Sequence, residues 1–189
     1  PLQAGLVTGA VAIAAFPGAI FGGRYVDRIG FRTVISGGYV IATIAGILAV
    51  FAIREGLFPL FMIALVLVGT GTGLAMSVTS TAIIGSAPAH RTGMASAIES
   101  VSYEFGTMLS VAILGSLMSL FYTINAAPEV AHSMDASAHN PALAPMAASA
   151  IDTAYTWTLC IAIAVSFTAA VVTAVLLTDN PKETKYAHE

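Results

Sequence analysis

The sequence predicts an all-α membrane protein with five transmembrane helices. Three observations carry this. Of its 189 residues 57% are apolar and only 9% charged, where a soluble domain is about 25% charged. Mean hydropathy is +0.87, so polar groups could not cover a globular surface. Apolar stretches of the length needed to cross hydrocarbon, about 20 residues, recur five times, and none alternates with the period of two that marks a half-buried strand. A segment crossing lipid must also satisfy its own backbone hydrogen bonds, which favours helices.

The predicted spans are residues 2–21, 33–53, 57–84, 94–122 and 155–177, all within a transmembrane domain of residues 1–178. The first carries no charge, and Pro17-Gly18 near its end predicts a kink, because proline removes a backbone donor. The fourth is long enough for its first turns to stand in the interface. Residues 22–32 form a connecting loop with three arginines, 54–56 a tight turn, and 85–93 a loop with Pro88, His90 and Arg91. Residues 123–154 read as a long Ala/Pro/Ser-rich loop without Lys or Arg, and 179–189 as a polar tail. The chain begins at Pro1, with no initiator Met and no signal peptide pattern, and is expected to belong to a longer polypeptide.

Charge sets the orientation. Alternating spans put Arg24, Arg28, Arg32, Arg91, Lys182 and Lys185 on one side and only Arg54 on the other. Positive residues in short loops mark the cytoplasm. The tail is therefore expected to be cytoplasmic and residues 123–154 extracytoplasmic, with Tyr155 and Trp157 at the outer interface, where amphipathic rings favour headgroup depth.

Glycine pairs four apart, Gly5/Gly9, Gly18/Gly22 and Gly69/Gly73, predict close helix packing, because small residues let backbones approach in lipid. The run Gly69-Thr-Gly71-Thr-Gly73 lacks the third glycine of a dinucleotide loop and lies inside a span. A net charge of −3 provides no basic footprint for nucleic acid. The single cysteine, Cys160, cannot form an internal disulfide. His132, Asp135 and His139 are too loosely spaced for a metal site, and no hydrolase or zinc motif indicates an enzyme.

The costly polar groups lie in the fourth span. Glu99 and Glu104 are its carboxylates, and a charge at mid-membrane costs about 2.5–3.5 kcal/mol on insertion scales. Such groups mark proton relays or water-filled cavities. Five residues turn a helix through about 140°, so the two do not share a narrow face, and Tyr103 lies between them in angle. Glu99 belongs to a polar stripe with Ser102, Gly106 and Ser110. Bland roles compete: an interfacial Glu favoured by the helix dipole for Glu99, an interhelical hydrogen bond for Glu104. Ser77, Thr79, Ser80 and Thr81 in the third span are cavity-lining candidates, although such hydroxyls often bond their own helix.

The loop Gly23-Arg-Tyr-Val-Asp27-Arg28-Ile-Gly30-Phe-Arg32 resembles the G-x-x-x-D-R-x-G-x-R loop of the major facilitator superfamily. Pro1-Leu-Gln-Ala-Gly-Leu6, Pro88-Ala-His-Arg91-Thr-Gly93-Met-Ala-Ser-Ala97 and Val111-Ala-Ile-Leu-Gly115-Ser-Leu117 resemble further stretches of its 14-span drug–proton antiporters. The resemblance covers nearly the whole chain. It implies that the five helices form part of the C-terminal half of the bundle, corresponding to spans ten to fourteen, with the N-terminal half as missing partner. It implies inward proton movement coupled to export of small lipophilic or cationic drugs across the bacterial inner membrane, with the proton gradient as energy source and no cofactor. Glu99, Glu104 and Tyr103 would serve proton coupling or cation attraction. Gly23, Asp27, Arg28, Gly30 and Arg32 would form a gate latch. The first span lacks the carboxylate that some dication exporters carry there.

The expected function is therefore proton-coupled multidrug efflux by alternating access, with neutralisation of Glu104 expected to abolish it. A facilitator for another small metabolite, or a five-span scaffold or accessory subunit, are the competing readings.

Overall fold

The structure, a computed structural model, describes residues 2–126 and 144–177. Its helices are α1 (Leu2–Ile29), α2 (Phe31–Arg54), α3 (Phe58–Gly85), α4 (Thr92–Asn125) and α5 (Ala144–Leu176), with a 3-10 turn at Ala89–Arg91 before α4. There are no strands among the described residues. All five helices are long and apolar enough to cross a membrane.

Helix ends differ from the expected span limits in two places. Residues 22–29, expected as loop, continue α1. Nothing between Arg24 and Ile29 breaks a helix, and Val26 is buried, only 5% exposed, in a cluster with Val34, Ile35, Ala75 and Val78. The reversal falls on Gly30 alone, at φ 90° and ψ 156°, a region essentially restricted to glycine. Residues 144–154, also expected as loop, form the start of α5. Proline is tolerated at Pro145 in a first helical turn, and the alanines that follow have the highest helix propensity. Pro17 lies inside α1 without ending it. α4 has 34 residues, about 51 Å at 1.5 Å per residue, well beyond the ~30 Å hydrocarbon core.

The chain divides into two compact units, Pro1–Tyr103 with Ile163–Glu189, and Glu104–Ala162. In the first, α3 packs along both α1 and α2, which touch each other little. Residues two apart on a helix point about 200° apart and residues four apart about 40°. Gly69 and Gly73 therefore meet one neighbour and Gly71 the other. A methyl at Gly69 would overlap the Val11 carbonyl and one at Gly73 the Ala15 carbonyl, both on α1; at Gly71 it would lie 2.7 Å from the Gly38 carbonyl oxygen on α2. Gly18 and Gly22 of α1 face Thr70 and Leu74 of the same interface. Thr70 Oγ1 donates to Val66 O at 2.8 Å and reaches Ala14 O on α1 at 3.3 Å. Two of the three expected glycine pairs thus lie in one helix contact, whereas Gly5 and Gly9 have nothing within 4 Å.

Contacts ascend together along α1 and α3 and in opposition along α2 and α3, so α1 and α3 run parallel. The α1–α2 and α3–α4 connections therefore share one end of this unit, bringing Arg24, Arg28 and Arg32 to the same end as Arg91. At the other end α2 stops in a Schellman turn: Gly56, at φ 65°, donates to Ile53 O at 3.2 Å, and Leu57 donates to Ala52 O at 2.9 Å. These bonds satisfy carbonyls the helix end leaves free. α2 also meets α5. Thr43 Oγ1 donates to Tyr39 O at 2.8 Å and lies 3.4 Å from Ser166 Oγ, which in turn reaches Tyr39 O at 3.4 Å.

The second unit pairs the end of α4 with the start of α5. Tyr122, 2% exposed, packs with Ala150 and Ala154, flanked by Met118, Phe121 and Ile151. The Phe121 and Trp157 rings sit 6.2 Å apart, tilted by 31°.

Candidate functional site

An open cleft of about 450 Å³ lies in the first unit, walled by α1, α3 and the first turns of α4. α1 contributes Ala12, Ala15, Phe16 and Ala19, a face that recurs at helical spacing; α3 contributes Gly73, Met76, Ser77 and Ser80. α4 contributes Glu99 and Tyr103, four residues apart and so on one face.

Glu99 is the ionisable group of this cleft whose side chain is most enclosed, at 9% exposed. It is the eighth residue of α4, past the first turn where the helix dipole acts most strongly. The dipole alone does not account for its position. Tyr103 stands within electrostatic reach of Glu99 and of Tyr39 on α2. The result is one carboxylate beside a phenol and two serines in an otherwise apolar wall. A carboxylate so placed can exchange a proton for an organic cation, whose charge it meets and whose apolar body the alanines, Phe16 and Met76 accommodate.

The structure separates the residues singled out from sequence. Glu104 is exposed, as are Ser102, Gly106 and Ser110, and Ser102 Oγ donates to the Ile98 carbonyl at 2.7 Å. Of the four α3 hydroxyl residues singled out from sequence, Ser77 and Ser80 line the cleft. Thr79 and Thr81 donate to Ala75 O and Ser77 O at 2.8 and 3.0 Å, as hydroxyls on helices often do. In the arginine-rich segment Gly23, Asp27, Arg28 and Arg32 are exposed, and Gly30 forms the reversal. His132, Asp135 and His139 lie outside the described residues, and the described ones contain no group of three His, Cys, Asp or Glu able to hold a metal.

Sequence reasoning missed the α1 wall and the Tyr39–Thr43–Ser166 tie. The spacing of Ala12, Ala15 and Ala19 was a usable signal for one face of a helix. Nothing in the sequence paired Thr43 with Ser166, 123 positions away.

Residues 1–189, the whole chain, match the family model described as Major Facilitator Superfamily. The chain belongs to the Major Facilitator Superfamily. Proteins similar to it include the multidrug efflux pump LfrA of Mycolicibacterium smegmatis, 31% identical over 66% of this chain and 25% of that protein. The multidrug resistance protein Stp of Mycobacterium tuberculosis is 29% identical over 57% of this chain and 20% of Stp. The methyl viologen resistance protein SmvA of Salmonella typhimurium is 32% identical over 63% of this chain and 24% of SmvA. The chain thus spans about a quarter of the length of the curated relatives it matches. No solved structure matches it. Superfamily membership and five apolar helices make this a multi-pass membrane protein of a transporter family.

Proposed function

We propose that these five helices serve proton-coupled export of small lipophilic or cationic drugs across a bacterial inner membrane, as the C-terminal part of a transporter of the length its relatives have. The observation that carries the reading is the buried carboxylate of Glu99 in an apolar cleft. The named activities of LfrA, Stp and SmvA support the substrate class. Deprotonated Glu99 takes up the cation from the cytoplasmic side. In the outward-facing state a proton replaces the cation on the same carboxylate, and the protonated form resets the transporter. Tyr103 lies beside this exchange. Asp27, Arg28 and Arg32, at the end that carries the excess of arginines, act as the latch of one conformation together with Gly23, and Gly30 makes the turn of that segment. Alternating access moves one half of the bundle against the other around a midplane site. The tail, residues 179–189, is cytoplasmic in this orientation, and no cofactor takes part.

Burial favours Glu99 over Glu104 as the coupling group. In everted membrane vesicles making the full transporter, ethidium added to an imposed proton gradient drives proton release. Glu99→Gln is expected to reduce that release to the level of empty vesicles, while Glu104→Gln retains most of it. Undiminished release in Glu99→Gln, at normal protein level, would exclude Glu99 as the coupling carboxylate.

A further inference from the structure

The cleft has one wall that cannot yield. α1 lies on α3 with backbone against backbone, Gly69 on the Val11 carbonyl and Gly73 on the Ala15 carbonyl. Gly18, next to Ala19, lies on the Thr70 carbonyl. This seating fixes the α1 backbone at this level on α3, so displacing it means breaking the close helix contact. Three of the four side chains α1 presents there are alanines, which have no rotamers to change. Phe16 and Met76 differ: they are 74% and 52% exposed, and a methionine of three rotatable bonds reshapes to fit what it meets. An occupant held at Glu99 can move Met76 aside but cannot move Ala12 or Ala19.

From this we infer that Ala12 and Ala19 set the upper size limit of the organic cation that the cleft accepts, a specificity role separate from the charge recognition by Glu99. The inference rests on the reading of this cleft as the substrate path. Enlarging either alanine projects carbon into the cleft from a fixed backbone, so large ions lose more than small ones. Ala15 is unsuitable as a probe, because its own carbonyl is part of the α1–α3 contact.

The test uses the full transporter in proteoliposomes and the tetraalkylammonium series from tetramethyl to tetrabutyl, in which charge is constant and size alone varies. Exchange of each ion is read as proton release under an imposed gradient. For Ala19→Leu and Ala12→Leu the ratio of tetrabutylammonium to tetramethylammonium exchange is expected to fall about tenfold or more, the discrimination a few misplaced methylenes produce in an apolar pocket. Ala19→Val should shift the ratio in the same direction by less. Thermal unfolding in detergent reports whether each variant is folded. An unchanged ratio, or an equal loss across the series, in folded variants would overturn the size limit. If Glu99→Gln abolishes exchange in the same preparation, the substrate path stands even then. If Glu99→Gln leaves exchange of all four ions intact, the substrate path falls, and the size limit with it.

Discussion

Gly73 on α3 rests against the backbone carbonyl of Ala15 on α1, with no room between them for a methyl group. The opposing atom is backbone, so a larger residue cannot be relieved by a rotamer change. Gly73→Ala is expected to destabilise the folded protein by about 1–3 kcal/mol, the usual cost of overpacking. Gly9→Ala, with open space around it, should be close to neutral. Thermal unfolding of the two variants in one detergent compares them, and equal melting temperatures would contradict the packing described.

Gly30 carries the α1–α2 reversal at φ 90° and ψ 156°. Any side chain there is strained, at a cost of about 1–3 kcal/mol. Gly30→Ala should lower the unfolding temperature even though the position is only half-buried. Retention of full stability would mean that the reversal is made elsewhere.

Thr43 and Ser166 join α2 to α5 through Tyr39 O. Interhelical hydrogen bonds in membranes contribute about 0.6 kcal/mol on average. Thr43→Val and Ser166→Ala should each destabilise by roughly that amount. The double variant should cost less than the sum, since each loses the same tie. Strict additivity in a double-mutant cycle would show that the pair does not interact.

Asp27 is exposed on the last turn of α1 and is assigned to the latch, away from the cleft. Asp27→Asn is expected to slow turnover several-fold while the apparent affinity for ethidium stays within about twofold, as for a shifted conformational equilibrium rather than a lost contact. Fluorescence binding and transport assays on one preparation separate the two. A large fall in affinity with normal turnover would move Asp27 into the binding site.

The helices were legible in sequence because hydrocarbon imposes a length and forbids unpaired backbone groups, and these constraints show as apolar runs. Residues 22–29 and 144–154 were harder to read. Their composition is polar or Ala/Pro/Ser-rich, and what makes them helical is the seating of Val26 among α2 and α3 residues, and a run of alanines that pack against Tyr122. Glu99 and Glu104 were both legible as costly carboxylates, but hydropathy cannot tell which one is enclosed.

The sequence by itself determined the number of apolar spans, the bias of positive charge to one side, the family, and the short set of polar residues from which any transport chemistry must be drawn. Tertiary structure alone decided that Gly69 and Gly73 face α1 while Gly71 faces α2, that Glu99 and not Glu104 is buried, and that Ala12, Ala15 and Ala19 wall its cleft. The reason is physical. Crossing a bilayer is a property of each segment alone, whereas burial of a side chain depends on the neighbour its helix face meets.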